Sequence, residues 1–275
     1  MTGDIPRRRI VTSLPVPATT PGQTPSEILP GFVSVLRSLD LAPRWTLVDG
    51  AAPDAPEGTT VLALRYADGV VMAGDRRATS GHLIAHKRIQ KVFAADEYSA
   101  VAVAGTAGLA VELIRIFQTE LEHYEKIEGT RLSLAGKANF LARLVRNHLP
   151  MAFQGLAVVP LFCGYDEEAG TGELYSFDVV GGSYVEQDYA ATGSGGQEAK
   201  AFLKSVYRAD AAEDDALRMA VEALVAAAEE DAATGGPDIR RGIYPNVVTV
   251  TADGLAEVAE PRVAEIAAAV VEGRP

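Results

Sequence analysis

Thr59 stands where its chemistry could be released. The run Glu57-Gly58-Thr59-Thr60-Val61 joins a proline-rich segment to the first regular alternating strand of the chain. Breaking the Gly58–Thr59 bond would leave Thr59 with a hydroxyl and a free α-amine on one carbon framework, a nucleophile and its own base. Such an amine has a pKa of roughly 7.7–8.0, so it can take the hydroxyl proton directly or through one water. In an uncut chain that nitrogen is an amide, and the hydroxyl must attack the preceding carbonyl. Gly58, without a Cβ, permits the tight turn this demands. A buried threonine at a strand start is also an ordinary structural residue, so the surrounding groups must decide.

A cation beside the amine would favour its neutral form. Lys91 is the candidate, on a strand expected to pair close to the first hairpin, and a buried lysine needs a counter-charge, which Asp75 at the end of the second strand could supply. Both also read as common strand-end charges. Gly105-Thr106-Ala107-Gly108 ends a strand and opens a helix, a place where backbone N–H groups could hold an oxyanion. Thr192-Gly193-Ser194-Gly195-Gly196 has a similar position. Neither run matches the phosphate-loop or dinucleotide fingerprints, and Ser194 lacks the glycine that a nucleophile elbow requires two residues before it. His82, His86, His123 and His148 are scattered without metal-ligand spacing. Arg76-Arg77 could join neighbouring subunits or bridge local carboxylates.

The elements that would position these groups follow from periodicity. Strands are expected at 59–66, 70–75, 91–95 and 99–105. Two helices follow, one through Leu109, Leu113, Phe117 and Leu121, the next through Leu134, Ala138, Leu141 and Val145, with Gly129 between them. Strands return at 157–165, 173–178 and 183–191. Helices at 197–207 and 214–230, a closing strand at 247–251 and a terminal helix at 262–272 complete the order. Grouped strands and grouped helices disfavour alternating βαβ folds. They suit an α+β class of two antiparallel sheets face to face, each covered outside by helices.

Nine of the 15 prolines fall in residues 1–58, so most of that segment should lack stable structure by itself. Its apolar run Phe32–Leu39 could form a short docking helix, and Trp45, the only tryptophan, also argues for packing. Five arginines and six acidic residues precede the junction, so the excess behind the net charge of −12 lies in the main domain. That charge disfavours nucleic-acid binding. Cys163, the only cysteine, excludes an intrachain disulfide and fits a reducing cytoplasm. No stretch reaches the ~20 apolar residues of a membrane span.

In this order and spacing the residues resemble the β-type subunits of the 20S proteasome, threonine peptidases of the N-terminal-nucleophile hydrolase class. The likeness covers 59–275 and rests on Gly58-Thr59-Thr60-Val61, Met72-Ala73-Gly74-Asp75-Arg76-Arg77-Ala78-Thr79, Lys91-Val92-Phe93, Ala104-Gly105, Gly193-Ser194-Gly195 and Asp231-Ala232-Ala233-Thr234-Gly235-Gly236. It is greatest to the actinobacterial form with one β type and a long propeptide. The resemblance implies a four-layer αββα sandwich at 59–275 and a propeptide, 1–58, removed by self-cleavage between Gly58 and Thr59. It implies Thr59 as nucleophile, Asp75 and Lys91 as the pair that sets its electrostatics, and the Gly105 amide as oxyanion donor. Ser194, Asp231 and Thr234 would hold the nucleophile and its amine. Thr79 and Ala107 would bind substrate backbone as an added strand. Ala78, Ile89, Phe93, Val103 and Val111 would line the primary specificity pocket, with a preference for apolar residues before the cut. Thr234 stands where many members of the family have serine; its hydroxyl should keep the hydrogen bond.

The resemblance also implies partners: α-type subunits, further β subunits in seven-membered rings stacked as α7β7β7α7, an ATPase ring and unfolded protein substrates, with no cofactor. A non-catalytic ring subunit of the same fold, and the simpler two-ring bacterial relative, are the neighbouring readings.

Overall fold

The computed structural model describes residues 58–274; the expected docking helix at Phe32–Leu39 and Trp45 lie outside the described residues. The chain opens with β1 (Thr60–Tyr66) and β2 (Gly69–Gly74), a hairpin turning at Ala67-Asp68. A short hairpin follows, β3 (Ala78–Ser80) and β4 (Leu83–His86). Next come β5 (Val92–Asp96), β6 (Ser99–Gly105), α1 (Ala107–Glu128), α2 (Leu134–Asn147) and the one-turn α3 (Leu149–Ala152). The remaining strands are β7 (Val158–Asp166), β8 (Thr171–Phe177), β9 (Ser183–Glu186), β10 (Tyr189–Gly193), β11 (Asn246–Thr251) and β12 (Gly254–Glu257). Helices α4 (Gly196–Val206) and α5 (Glu213–Glu230) stand between β10 and β11, and α6 (Glu260–Glu272) ends the order.

Two five-stranded antiparallel sheets result, ordered β10-β1-β2-β11-β12 and β5-β6-β7-β8-β9. Because side chains alternate along a strand, each sheet can bury both faces. In β1, Leu62 and Leu64 join the cluster made with α4, α5 and α6, while Val61 and Ala63 face the other sheet. In β7, Phe162 packs toward α1 and α2, whereas Leu161 and Cys163 lie between the sheets. The layers therefore run helices, sheet, sheet, helices, as the sequence predicts. Burial pushes the Cys163 thiol up to about 12, which leaves it an inert core group.

Four expectations need correction. The single strand at 183–191 is two, broken at Gln187-Asp188: β9 edges one sheet and β10 edges the other. The strand at 247–251 does not close its sheet, because β12 pairs outside it. The β3–β4 hairpin was not foreseen; its strands are three and four residues long, too short to show periodicity. Finally, β5 does not pair with the first hairpin. It belongs to the opposite sheet and reaches Asp75 by stacking: a Cβ built on Gly74 would lie 3.2 Å from the Lys91 Cβ.

Phe117 of α1 ties one outer helix layer to its sheet, stacked on Phe140 at 6.1 Å and edge-on to Phe162 at 5.8 Å. It is fully buried. Phe117→Ala should cost about 3–5 kcal/mol in chemical denaturation, with secondary structure content unchanged.

Candidate active site

The site forms where β1 begins and β2 ends. Antiparallel register sets Val61 opposite Gly74, which brings Asp75 beside Thr60. The Asp75 amide donates to the Thr60 carbonyl at 3.1 Å, and the Thr60 amide donates to Asp75 Oδ1 at 2.8 Å. Asp75 Oδ1 also accepts from Lys91 Nζ at 2.5 Å, and Oδ2 accepts from the Arg77 amide at 2.8 Å and the Gly235 amide at 2.9 Å. Four donors thus meet one fully buried carboxylate, the full acceptor capacity of its two oxygens.

Lys91 is 4% exposed and has three acceptors: Asp75 Oδ1, the Arg77 carbonyl at 2.5 Å and the Gly58 carbonyl at 3.0 Å. An ammonium has three protons, so each finds a partner. Burial lowers the Lys91 pKa, and the Asp75 charge opposes that shift.

The Gly58 carbonyl oxygen accepts from Lys91 and also from Thr59 Oγ1 at 2.8 Å. Gly58 has φ +87°, and Thr79 Oγ1 already sits where its Cβ would project, so no other residue fits there without displacement. On the far side of Thr59, its carbonyl accepts from the Ser194 amide at 2.8 Å and from Ser194 Oγ at 3.3 Å. A Cβ on Gly193 (φ +99°) would overlap that same carbonyl oxygen.

Asp231 accepts from Thr234 Oγ1 at 2.6 Å and from the Ala233 amide at 3.1 Å. Burial works against its ionisation, but hydrogen bonds from the Ser194 and Thr234 side chains and from backbone amides outweigh that and hold its pKa below the usual carboxylate value. The Thr234 hydroxyl makes a second bond, to Thr60 Oγ1 at 2.6 Å. Proton counting orders this chain. Asp231 can only accept, so Thr234 donates to it; Thr60 must then donate to Thr234, leaving its oxygen to accept from the Gly195 amide at 2.9 Å.

Thr60 is therefore the residue the sequence reading missed. It is wholly buried, and it joins the Asp75–Lys91 unit through its amide to the Asp231–Ser194 unit through its hydroxyl. The only signal was the doubled threonine at the junction. Of the two readings of Arg76 and Arg77, the bridge to local carboxylates does not occur among the described residues. Their guanidinium groups donate to the carbonyls of Ile89 and Arg88, and of Ala232.

Ala78, Ile89, Phe93, Val103 and Val111 line one pocket together with Gly58, Thr59, Gly105 and Ala107. Gly105 thus borders the Gly58–Thr59 link, but the donors to the Gly58 oxygen are Lys91 and Thr59. Gln90, Ala110 and Ile114 line the same pocket and were not foreseen. The spacing of Ala107, Ala110, Val111 and Ile114 is one face of α1 and could have revealed two of them.

The family described as "Proteasome subunit" matches residues 55–239. "Proteasome subunit beta" of Streptomyces griseus is 53% identical over 223 residues, 81% of this chain and 79% of that protein. "Proteasome subunit beta 2" of Thermomonospora curvata is 54% identical over 222 residues, with the same coverage. "Proteasome subunit beta" of Stackebrandtia nassauensis is 50% identical over 269 residues, 94% of this chain and 96% of that protein. This chain belongs to the proteasome subunit family, whose members assemble with other subunits into particles.

Removing the Thr60 hydroxyl leaves the buried Gly195 amide without an acceptor. Thr60→Val should cost about 1–3 kcal/mol and Thr60→Ser under half as much, read from denaturation midpoints.

Proposed function

We propose that the chain is a proteasome β subunit, a threonine endopeptidase made as a precursor that cleaves itself between Gly58 and Thr59. One observation carries this reading: the Gly58 carbonyl lies between the Thr59 hydroxyl and the Lys91 ammonium, with Asp75 behind the lysine. The names of the β-type relatives support it, and so does the set of polar partners around Thr59.

In the precursor, Thr59 Oγ attacks the Gly58 carbonyl carbon and the carbonyl oxygen gains negative charge, which Lys91 Nζ, already donating to that oxygen, offsets. The hydroxyl proton passes to the departing Thr59 nitrogen, the C–N bond breaks, and an ester links Gly58 to Thr59 Oγ. Water hydrolyses the ester, leaving a Gly58 carboxylate and a Thr59 amine. The same hydroxyl then attacks substrate peptides, with the new amine as base and the Gly105 amide as oxyanion donor. Ser194 holds the Thr59 main chain directly, Asp231 acts through Thr234 and Thr60, and Thr79 and Ala107 serve as backbone partners for an extended substrate. Apolar walls from Ala78, Ile89, Phe93, Val103 and Val111 favour apolar side chains before the cut.

The particle of this reading is α7β7β7α7 with an enclosed chamber, built with α-type subunits, fed unfolded protein by an ATPase ring and located in the cytoplasm. The 1–58 segment is its propeptide.

Thr59→Ala should abolish both release of the leader and peptide hydrolysis in the co-assembled particle; normal maturation of that variant overturns the reading. For the matured particle, kcat/KM should fall as pH falls, because the amine must be neutral to accept a proton. The Lys91 charge lowers the amine pKa, so the midpoint should lie below about 7.7. Asp231, held ionised below the usual range, should not shape that limb.

A further inference from the structure

A basic groove lies next to the site and none of the chemistry above uses it. Ile89 and Gln90 line both the Thr59 pocket and a neighbouring hollow walled by His86, Lys87, Arg88 and Arg241. Lys87 and Arg241 are shared in turn with a third hollow, reached past Arg76, Arg77 and Gly235. The surface is continuous, and it carries Arg76, Arg77, Lys87, Arg88 and Arg241 on a chain whose net charge is −12.

Four of these five charges have no ion-pair partner among the described residues, and only Arg241 is paired. Arg76, Arg77 and Arg88 donate to backbone carbonyls, which fixes their positions and leaves their charge intact. None of Arg76, Arg77, Lys87 and Arg88 forms an ion pair with another described residue. Among the described residues Asp238 is the one acid lining the groove, and it is bound to Arg241 at 2.7 Å. Burial lowers the Arg76 pKa and repulsion from Arg88 adds to this, against the attraction of Glu260 and Asp75.

The sequence supplies the complement. Residues 49–57 hold Asp49, Asp54 and Glu57 and no lysine or arginine, immediately before the junction. Gly58 lies against Thr79 and Ala233, each two residues along its segment from the groove residues Arg77 and Gly235. Nine residues of extended chain reach at most about 30 Å. Glu57 and Asp54 can therefore reach the groove while Gly58 stays at the site.

Resting on the proteolytic reading, we propose that this groove docks the acidic end of the leader, residues 49–57, and so holds the Gly58–Thr59 bond in place for self-cleavage. The attraction is between solvated charges, so its effect is a rate of maturation and is sensitive to salt. Once the leader has left, the groove is free.

The test is a charge swap in the full-length chain co-assembled with α-type subunits, with leader loss followed by intact mass. Asp54→Lys with Glu57→Lys alters nothing in the matured chain. It should slow maturation about five-fold, while the finished particle hydrolyses peptides at the wild-type rate. Lys87→Glu with Arg241→Glu should slow maturation similarly, and the four changes together should restore it to within about two-fold of wild type. Unchanged maturation in the leader variant, or additive slowing without rescue in the combined one, overturns the docking role. Both outcomes leave the proteolytic reading intact if the wild-type chain matures at Gly58–Thr59. A wild-type chain that never loses its leader removes both.

Discussion

A single buried ammonium organises this site. Lys91 has three protons and three acceptors, supplied by a side chain of the opposite sheet, by the backbone of Arg77 and by the carbonyl of Gly58. Removing Asp75 would leave the buried ammonium without its counter-charge, at a cost of several kcal/mol. The Gly58 carbonyl is therefore a ligand of the lysine and, in the proposed self-cleavage, also the group that is attacked. Its polarisation is present before any chemistry begins, so little reorganisation is needed when charge develops on that oxygen.

The sandwich exists, in this respect, to bring two sheets to one point. Thr59, Asp75 and the Ser194 loop belong to one sheet, at the ends of β1, β2 and β10. Lys91 and the pocket residues Phe93 and Val103 belong to the other. Small residues at the crossing, Gly74 above all, let the backbones approach until Lys91 and Asp75 touch. The hydroxyl chain from Gly195 through Thr60 and Thr234 to Asp231 then fixes the second half of the site to the first. Thr60 belongs to both halves, so a rigid β1 positions Thr59, the proposed nucleophile, beside it.

Much of this was legible in the sequence because period-two and period-3.6 patterns carry strong signals. β1, β2, β6, α1, α2 and α5 fall close to where alternation and helical spacing put them. The pocket residues were legible only through family resemblance, since Ala78 and Val111 have nothing in their local sequence to join them. What escaped had a physical reason. Within 183–191 the polar run Glu186-Gln187-Asp188 interrupts the apolar pattern where the chain passes between sheets, but a break of two residues is too short to be told from a bulge in one strand. The Thr60–Thr234 bond joins positions 174 residues apart, and two hydroxyls at that separation leave no pattern in sequence. The pairing of Lys91 with Asp75 was anticipated, yet by strand pairing where the fold uses stacking across the sandwich.

The central claim is that Thr59 becomes an N-terminus and acts through the amine so exposed. Intact mass of the β chain taken from catalytically active particles tests it most directly. The account predicts a single species whose mass corresponds to a chain beginning at Thr59. Active particles in which every chain still carries residues 1–58 would contradict it.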